Sequence, residues 1–191
     1  MAGSLEAAGL HLGEVNQAAP FNKKGNKENQ PIRDFHDDLL ARNGAAWNRP
    51  PKRQIRWQRL DEERALRLVE PHLRSGHPWG FKDPRTLWMV EGWIRLLSAP
   101  RIIGVFRHPA LVARSLAART GDLAIGAEAA LRLWCAYNSE LLRLHRKHQF
   151  PLLHFSSDGA FERDFVTPLT SFARSIGLDG CVEGFFDPAL V

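Results

Sequence analysis

The chain has 191 residues, 44% hydrophobic and 25% charged, which fits one globular domain with a single sizeable core. It holds no apolar run long enough to span a bilayer, and its start lacks the basic and apolar stretches of a signal peptide. We therefore expect a cytoplasmic protein without a membrane partner. The formal net charge of +5 favours an anionic ligand, which leaves nucleotides, sulfated glycans and nucleic acid open. Cys135 and Cys181 have no metal-like spacing and are expected to be buried thiols.

Apolar runs of strand length alternate with helical patterns, which is typical of a three-layer α/β/α domain with a mainly parallel sheet. The predicted helices are 4–12, 31–43, a helix that Asp61 caps and that carries Leu66, Val69 and Leu73, then 85–97, 109–119, 126–148 and 168–176. The predicted strands are 79–82, 101–106 and 151–155. No strand precedes the first helix, whereas a doubly wound sheet normally feeds that helix through a phosphate-binding turn. The first strand and its turn are therefore expected to be missing.

Basic residues crowd one short stretch around Trp57, next to Pro50 and Pro51. They are Arg49, Lys52, Arg53, Arg56 and Arg59. The stretch is either a basic loop that binds an anion or a solvated linker that its prolines keep from folding.

The segment from Val105 to Pro109 carries the most informative chemistry. Arg107 stands where a predicted parallel strand ends, which is the edge at which open α/β sheets bind ligands. Pro109 starts a helix that carries Ser115 about two turns in. A guanidinium fork and a hydroxyl can share one phosphate, while the alternative is a strand-to-helix turn with a solvated arginine.

This pattern, a strand followed by Arg-x-Pro and a helix serine eight residues after the arginine, resembles the 3′-phosphate-binding motif of sulfotransferases. Three other segments agree with that family. Trp79-Gly80-Phe81-Lys82-Asp83-Pro84-Arg85 is similar to the Lys-Asp-Pro-Arg segment of bacterial sulfotransferase-like proteins, Gly25 to Asn29 with Ile32 and Leu39-Leu40 resembles their acceptor side, and Phe185 to Leu190 resembles their C-terminal segment.

The resemblance implies a P-loop NTPase-like fold and a nucleotide co-substrate, 3′-phosphoadenosine 5′-phosphosulfate, whose 3′-phosphate Arg107 and Ser115 would bind. The implied reaction is sulfuryl transfer to a hydroxyl of a carbohydrate or small molecule, with no metal ion and no nucleic acid partner. Lys82 and Arg85 would supply positive charge at the sulfonate, by analogy with phosphoryl transfer. Alternatively, Asp83 pairs with one of them and the segment is only a structured turn.

Glu28 is the expected general base, because related enzymes use a glutamate and this position resembles theirs. His36 is the second candidate, although a lone histidine in such a helix pattern is more often a surface or core residue. His145 and His148 are discounted as metal ligands because basic residues surround them.

The resemblance also implies a missing part. Met1 to Leu10 is similar to the helix that follows a turn of the type His-Arg-Ser-Gly-Thr-Ser, so the cradle for the 5′-phosphosulfate is expected to be absent. These 191 residues are then expected to bind adenosine 3′,5′-bisphosphate weakly and to transfer no sulfate.

Two other functions compete with this one. The first is a non-catalytic module that binds nucleic acid or sulfated glycan through the basic stretch 49–59, with steep salt dependence. The second, a nucleotide kinase, is weaker because the sequence has neither a Gly-Lys-Ser/Thr loop nor a plausible magnesium-binding set.

Overall fold

The computed structural model describes residues 1–16, 24–119, 121–156 and 159–185. Within these ranges the chain forms seven α-helices and two β-strands, so the mixed α/β class is confirmed. In chain order they are α1 Ala2–Ala7, α2 Gln30–Arg42, α3 Arg59–Leu73, α4 Thr86–Leu96, β1 Gly104–Arg107, α5 Pro109–Ala117, α6 Ala127–His148, β2 Leu152–Phe155 and α7 Thr167–Ser175. Over the same ranges, none of the helices has the length and apolarity that crossing a membrane requires.

The two strands are parallel, and their register runs from Gly104 opposite Leu152 to Arg107 opposite Phe155. Both strands therefore end at the same edge of the sheet. Helix α5 begins two residues after β1, because Pro109 has the fixed φ that suits a first helical turn. This connection places Arg107 at the carboxyl edge, beside the start of α5.

Successive residues of β2 pack into different apolar clusters. Leu153 and Phe155 lie with residues of α1 and α7, such as Leu5 and Leu169. Leu152 lies instead in a cluster with residues of α4 and α6. This alternation follows the period of two in a β-strand, so apolar side chains cover both faces of the sheet.

A separate core forms where α2, α3 and α4 meet. Phe35, Val69 and Met89 are each fully buried there, and Trp93 is 3% exposed. Helix α2 is well specified locally, since the Asn29 side chain accepts a hydrogen bond from the Ile32 N–H at 3.3 Å. The candidate site residues on α2 and before α4 are thus carried by elements that share this buried core.

Most helix predictions are confirmed to within two residues at each end, but the first is wrong in extent. Helix α1 ends at Ala7 instead of Leu12, because Gly9 takes φ +107° and the chain continues in an extended form. His11 then forms an isolated parallel bridge with Trp79.

The predicted strand 79–82 is also wrong. That bridge is its one ladder contact among the described residues, with the His11 N–H donating to the Pro78 carbonyl and the Gly80 N–H donating to His11. The segment is short and bounded by Pro78 and Pro84, which have no N–H to continue a ladder.

Three smaller expectations change as well. Cys135 and Cys181 are exposed, not buried, since both lie on surface positions of α6 and the C-terminal segment. Asp61 is not the capping residue of α3 but lies in its first turn, where its carboxylate accepts a hydrogen bond from the backbone N–H of Gln58 at 2.8 Å. Of the C-terminal match from Phe185 to Leu190, only Phe185 lies within the described residues.

Candidate functional site

Glu28 and Lys82 meet although 54 positions separate them in the sequence. Lys82 Nζ lies 3.0 Å from Glu28 Oε1, and the side chains are 31% and 10% exposed respectively. Glu28 directly precedes the cap of α2, while Lys82 lies in the turn before α4. The pair therefore brings residues 25–29 against residues 79–85, two segments that lie far apart in the sequence.

The turn that carries Lys82 is fixed through Asp83, which is 6% exposed. Asp83 Oδ1 accepts hydrogen bonds from the backbone N–H of Arg85 at 3.0 Å and from its guanidinium at 2.9 Å. Arg85 Nε donates in addition to Asp37 at 2.6 Å. Asp83 thus pairs with Arg85, and the positive charge of Arg85 is balanced by two carboxylates.

Titration of this network follows from its contacts. Burial acts to raise the pKa of Asp83, but the hydrogen bond and charge of His36, followed by the charge and backbone hydrogen bond of Arg85, outweigh it and hold that pKa below its ordinary value. Burial likewise acts to lower the pKa of Arg85, and the charges and hydrogen bonds of Asp83 and Asp37 raise it instead. Both groups are therefore ionised in the folded protein at neutral pH.

His36 lies at the buried end of the same network. Its Nε2 accepts a hydrogen bond from Trp93 Nε1 at 2.9 Å, so the ring proton is on Nδ1, which donates to Asp83 Oδ2 at 2.8 Å. Both ring nitrogens are therefore engaged, and the residue is 0% exposed. An Asp–His pair of this kind resembles part of a hydrolase triad, but an indole occupies the place of a nucleophile. Glu28 is consequently the better-placed candidate base.

Arg119, which the sequence did not single out, lies over the ring of Trp47 and within range of the charge of Glu28. Burial lowers the pKa of Arg119, and the charge of Glu28 acts in the opposite direction. Its guanidinium carbon lies 5.8 Å from the centre of the Trp47 ring, and the hydroxyl of Tyr137 donates to the Trp47 carbonyl at 2.9 Å. No local pattern could reveal this residue, because its contacts are more than 70 positions away in the chain.

Arg107 lies at the carboxyl edge of the sheet, as predicted. Its guanidinium carbon is 5.4 Å from the centre of the Phe155 ring, and its carbonyl accepts a hydrogen bond from Trp134 Nε1 at 2.9 Å. Burial and the charge of Arg114 lower the pKa of Arg107. Its Nε is buried and has no hydrogen-bond partner in the described chain, and neither has the Oγ of Ser156 just beyond β2. This edge therefore holds unsatisfied donors that suit an anion.

Ser115 is exposed in the second turn of α5. No hydrogen bond joins it to Arg107 in the described part of the chain. The structure thus brings Glu28 to Lys82 and His36 to Arg85 through Asp83, while no contact among the described residues joins Arg107, at the end of β1, to Ser115 in α5.

The basic stretch 49–59 is exposed at each of its five cationic positions. Arg59 begins α3 and its Nε donates to Glu63 at 2.8 Å. The stretch is not a free linker, however, because Ile55 is 7% exposed and packs into the core of α2, α3 and α4 together with Trp57. It is an anchored surface segment in which Arg49, Lys52, Arg53 and Arg56 form no ion pair with a described residue.

Two clefts lie away from these residues. One, of about 670 Å³, lies at the amino ends of the strands near Arg101, Phe150 and Phe172, and one of about 270 Å³ lies beside α7. Within the described ranges, no group of three or more His, Cys, Asp or Glu residues is arranged to hold a metal ion.

The chain was also compared with known proteins. It matches no family model, no curated protein and no solved structure. Its function has therefore to be argued from its own residues.

Proposed function

We propose that this protein is of the sulfotransferase kind and that its described residues form the 3′-phosphate side and the acceptor side of a site for sulfuryl transfer from 3′-phosphoadenosine 5′-phosphosulfate to a hydroxyl of a carbohydrate or small molecule. The observation that carries the proposal is Arg107. It lies at the carboxyl edge of a parallel sheet, immediately before a proline-initiated helix, with a buried Nε that no described residue satisfies. Leaving a buried guanidinium nitrogen unsatisfied is costly, and a phosphate would satisfy it bidentately.

The finer fold belongs to this proposal. A three-layer α/β/α arrangement of the P-loop NTPase type is supported by the parallel pairing of β1 and β2 and by the apolar clusters on both faces of the sheet. In such folds the ligand lies outside the carboxyl ends of the strands. Arg107 and Ser156 lie at that edge.

The remaining residues support the transfer chemistry. The acceptor oxygen would form a bond to sulfur as the bond from sulfur to the phosphate oxygen breaks, releasing adenosine 3′,5′-bisphosphate. Glu28 would take the proton of the acceptor hydroxyl, and Lys82, which it contacts at 3.0 Å, would stabilise the charge that spreads over the sulfonate. His36, Asp83 and Arg85 act through Lys82, because their network fixes the turn that presents it.

Binding of adenosine 3′,5′-bisphosphate tests the proposal directly. We would titrate the chain by isothermal calorimetry and by amide chemical shifts, extending to millimolar ligand, and compare Arg107→Ala with Arg101→Ala. Arg101 is the matched control, since it is an exposed arginine before the same strand. Loss of a charge-assisted hydrogen bond predicts at least about a tenfold increase in Kd for Arg107→Ala and no change for Arg101→Ala. Absence of binding, or equal binding by both variants, would overturn the proposal.

One observation favours a second candidate, an anion-binding module. Arg49, Lys52, Arg53 and Arg56 are exposed and form no ion pair with a described residue. That function predicts that Arg53→Ala with Arg56→Ala abolishes binding to heparin or DNA, with a steep dependence on salt, while Arg107→Ala has little effect. The sulfotransferase proposal predicts instead that Arg107→Ala weakens binding of the nucleotide, whereas Arg53→Ala with Arg56→Ala has little effect on it.

A further inference from the structure

Lys27 and Glu28 are sequence neighbours that form ion pairs with different parts of the chain. Lys27 Nζ lies 2.8 Å from Glu6 Oε2 on α1. Glu28 Oε1 lies 3.0 Å from Lys82 Nζ in the turn before α4. The Lys27 side chain is only 9% exposed, and a buried ammonium needs an anionic partner. This short segment therefore joins α1 to the turn that carries Lys82.

The backbone of Lys27 lies in the left-handed region, with φ +54°. A residue with a Cβ is uncommon in that region and persists there when surrounding contacts hold it. Two other non-glycine residues of the described chain share the region, but Gln149 is the left-handed cap of α6 and Ala99 lies in an exposed bend after α4. Lys27 differs from both because its side chain is buried against an anionic partner.

The conformation of Lys27 decides where the Glu28 side chain lies. Asn29, the next residue after Glu28, is fixed independently. Its side chain caps α2 at the Ile32 N–H, and its backbone forms an isolated bridge with Val15. Each residue has only two soft backbone dihedrals, so a change of φ at Lys27 turns the peptide that leads into Glu28 and moves its Cβ. The direction of the Glu28 carboxylate therefore depends on the left-handed conformation of Lys27.

Helix α1 supplies contacts that hold Lys27. Glu6 follows Leu5, which is 4% exposed and lies in the core with residues of α7. Lys27 Nζ also lies 5.6 Å from the centre of the Phe185 ring, a distance that allows a cation–π attraction. That ring packs on α1 as well, because a Cβ added at Gly3 would lie 2.3 Å from its Cζ. Both of these contacts are thus set by one helix.

We infer that Lys27 is a positioning residue for the candidate base. Its ion pair with Glu6 holds the left-handed backbone that directs the Glu28 carboxylate to Lys82, so that α1 determines the geometry of the acceptor side. The inference rests on the proposed function, since the role of Glu28 as base belongs to it.

Acylation of lysine side chains measures whether Glu28 still contacts Lys82. An ammonium held by a carboxylate reacts slowly because its proton must leave first, so loss of the contact speeds its reaction with an acetyl N-hydroxysuccinimide ester. Rates at Lys82 and Lys147 are followed in the same sample by peptide mass spectrometry. Lys147 is the internal control, since its Nζ lies 2.9 Å from Glu91 in a separate pair between α6 and α4. Glu28→Gln gives the rate at Lys82 when the contact is lost.

Lys27→Met and Glu6→Gln each remove the ion pair while nearly keeping the size of the side chain. We expect both to speed acylation of Lys82 about threefold or more, the effect that loss of a partly exposed ion pair has on an equilibrium, and to leave Lys147 unchanged. Lys27→Arg keeps the charge and should keep the wild-type rate. Lys52→Met, at an exposed lysine of the basic stretch, should also keep that rate.

A purely structural role gives a different result. If Lys27 only supported the fold, its loss would lower the melting temperature and speed acylation of Lys82 and Lys147 together. An unchanged ratio of the two rates in both Lys27→Met and Glu6→Gln rules the inference out. A ratio in Lys27→Arg equal to that in Lys27→Met does so as well, because the charge of residue 27 would then be irrelevant.

The labelling uses no nucleotide, so it is independent of the proposed function. Failure of the labelling test with retained binding of adenosine 3′,5′-bisphosphate removes only the positioning role. Lys27-dependent protection of Lys82 in a chain that does not bind the nucleotide removes the sulfotransferase proposal and leaves Lys27 as the residue that sets the contact between Glu28 and Lys82.

Discussion

His36 Nδ1 lies 2.8 Å from Asp83 Oδ2, and the two side chains are 0% and 1% exposed. Trp93 donates to the other ring nitrogen, so the imidazole bridges the indole and the carboxylate. Asp83 passes this constraint to Arg85 through two further hydrogen bonds. Because Lys82 immediately precedes Asp83, the position of its ammonium relative to Glu28 depends on a network within the core of α2, α3 and α4.

Replacing His36 with leucine should destabilise the protein strongly. The Trp93 N–H and the Asp83 carboxylate would each lose a buried partner, and every such loss costs about 1–3 kcal/mol. We expect the free energy of unfolding to fall by about 2–5 kcal/mol in urea denaturation monitored by tryptophan fluorescence. His77→Leu, at an exposed position, should change it by less than about 0.5 kcal/mol. Equal effects of the two substitutions would show that the network contributes nothing specific.

Asp83 should make the stability of the protein sensitive to acid. Its pKa is lowered in the folded state, so its stabilising contribution is complete above the pKa of the unfolded chain and is lost as the pH falls through the folded-state pKa. Asp83→Asn removes this term, and its unfolding free energy should decline less than that of the wild type below about pH 4. Asp179→Asn, at an exposed carboxylate, should follow the wild type. Parallel acid profiles for Asp83→Asn and the wild type would rule out the assigned linkage.

Gly92 lies inside α4 because no side chain fits there. An added Cβ would lie 2.1 Å from Trp57 Cε2, so Trp57 would have to leave the core. Alanine is favoured over glycine in a helix by about 1 kcal/mol, but we expect overpacking to exceed that gain and Gly92→Ala to destabilise by about 1–3 kcal/mol. Thermal unfolding of both variants measures the effect. Gly159→Ala places its Cβ in open space and should leave the stability nearly unchanged. A more stable Gly92→Ala would mean that Trp57 repacks freely.

Sequence patterns predicted the helix and strand ends that depend on neighbouring residues. Pro31 and Gly44 predicted the ends of α2, and Pro109 predicted the start of α5. The end of the predicted strand placed Arg107 at the sheet edge. The segment 79–82 has the composition of a strand, but its pairing depends on the extended chain after α1.

Contacts between distant parts of the chain were not predicted either, because they too depend on how separate segments pack together. Two matched segments suggested that Glu28 and Lys82 belong to one site, but their 3.0 Å contact depends on how α2 packs against the turn before α4. The position of Arg119 over the Trp47 ring likewise depends on packing between residues that are far apart in the chain.

His72 should give the protein a second loss of stability at mildly acidic pH. Its ring stacks on Trp79 with the centres 4.5 Å apart and the planes 5° from parallel, and burial lowers the pKa of His72. The folded state therefore binds protons less readily than the unfolded chain, so stability is complete above the unfolded value of about 6.5 and falls as the pH drops toward the folded-state pKa. His72→Phe keeps an aromatic stack and removes the titration. Chemical denaturation from about pH 7.5 to about pH 5 should show a flatter profile for His72→Phe than for the wild type, whereas identical profiles would show that stacking on Trp79 does not disfavour the protonated ring.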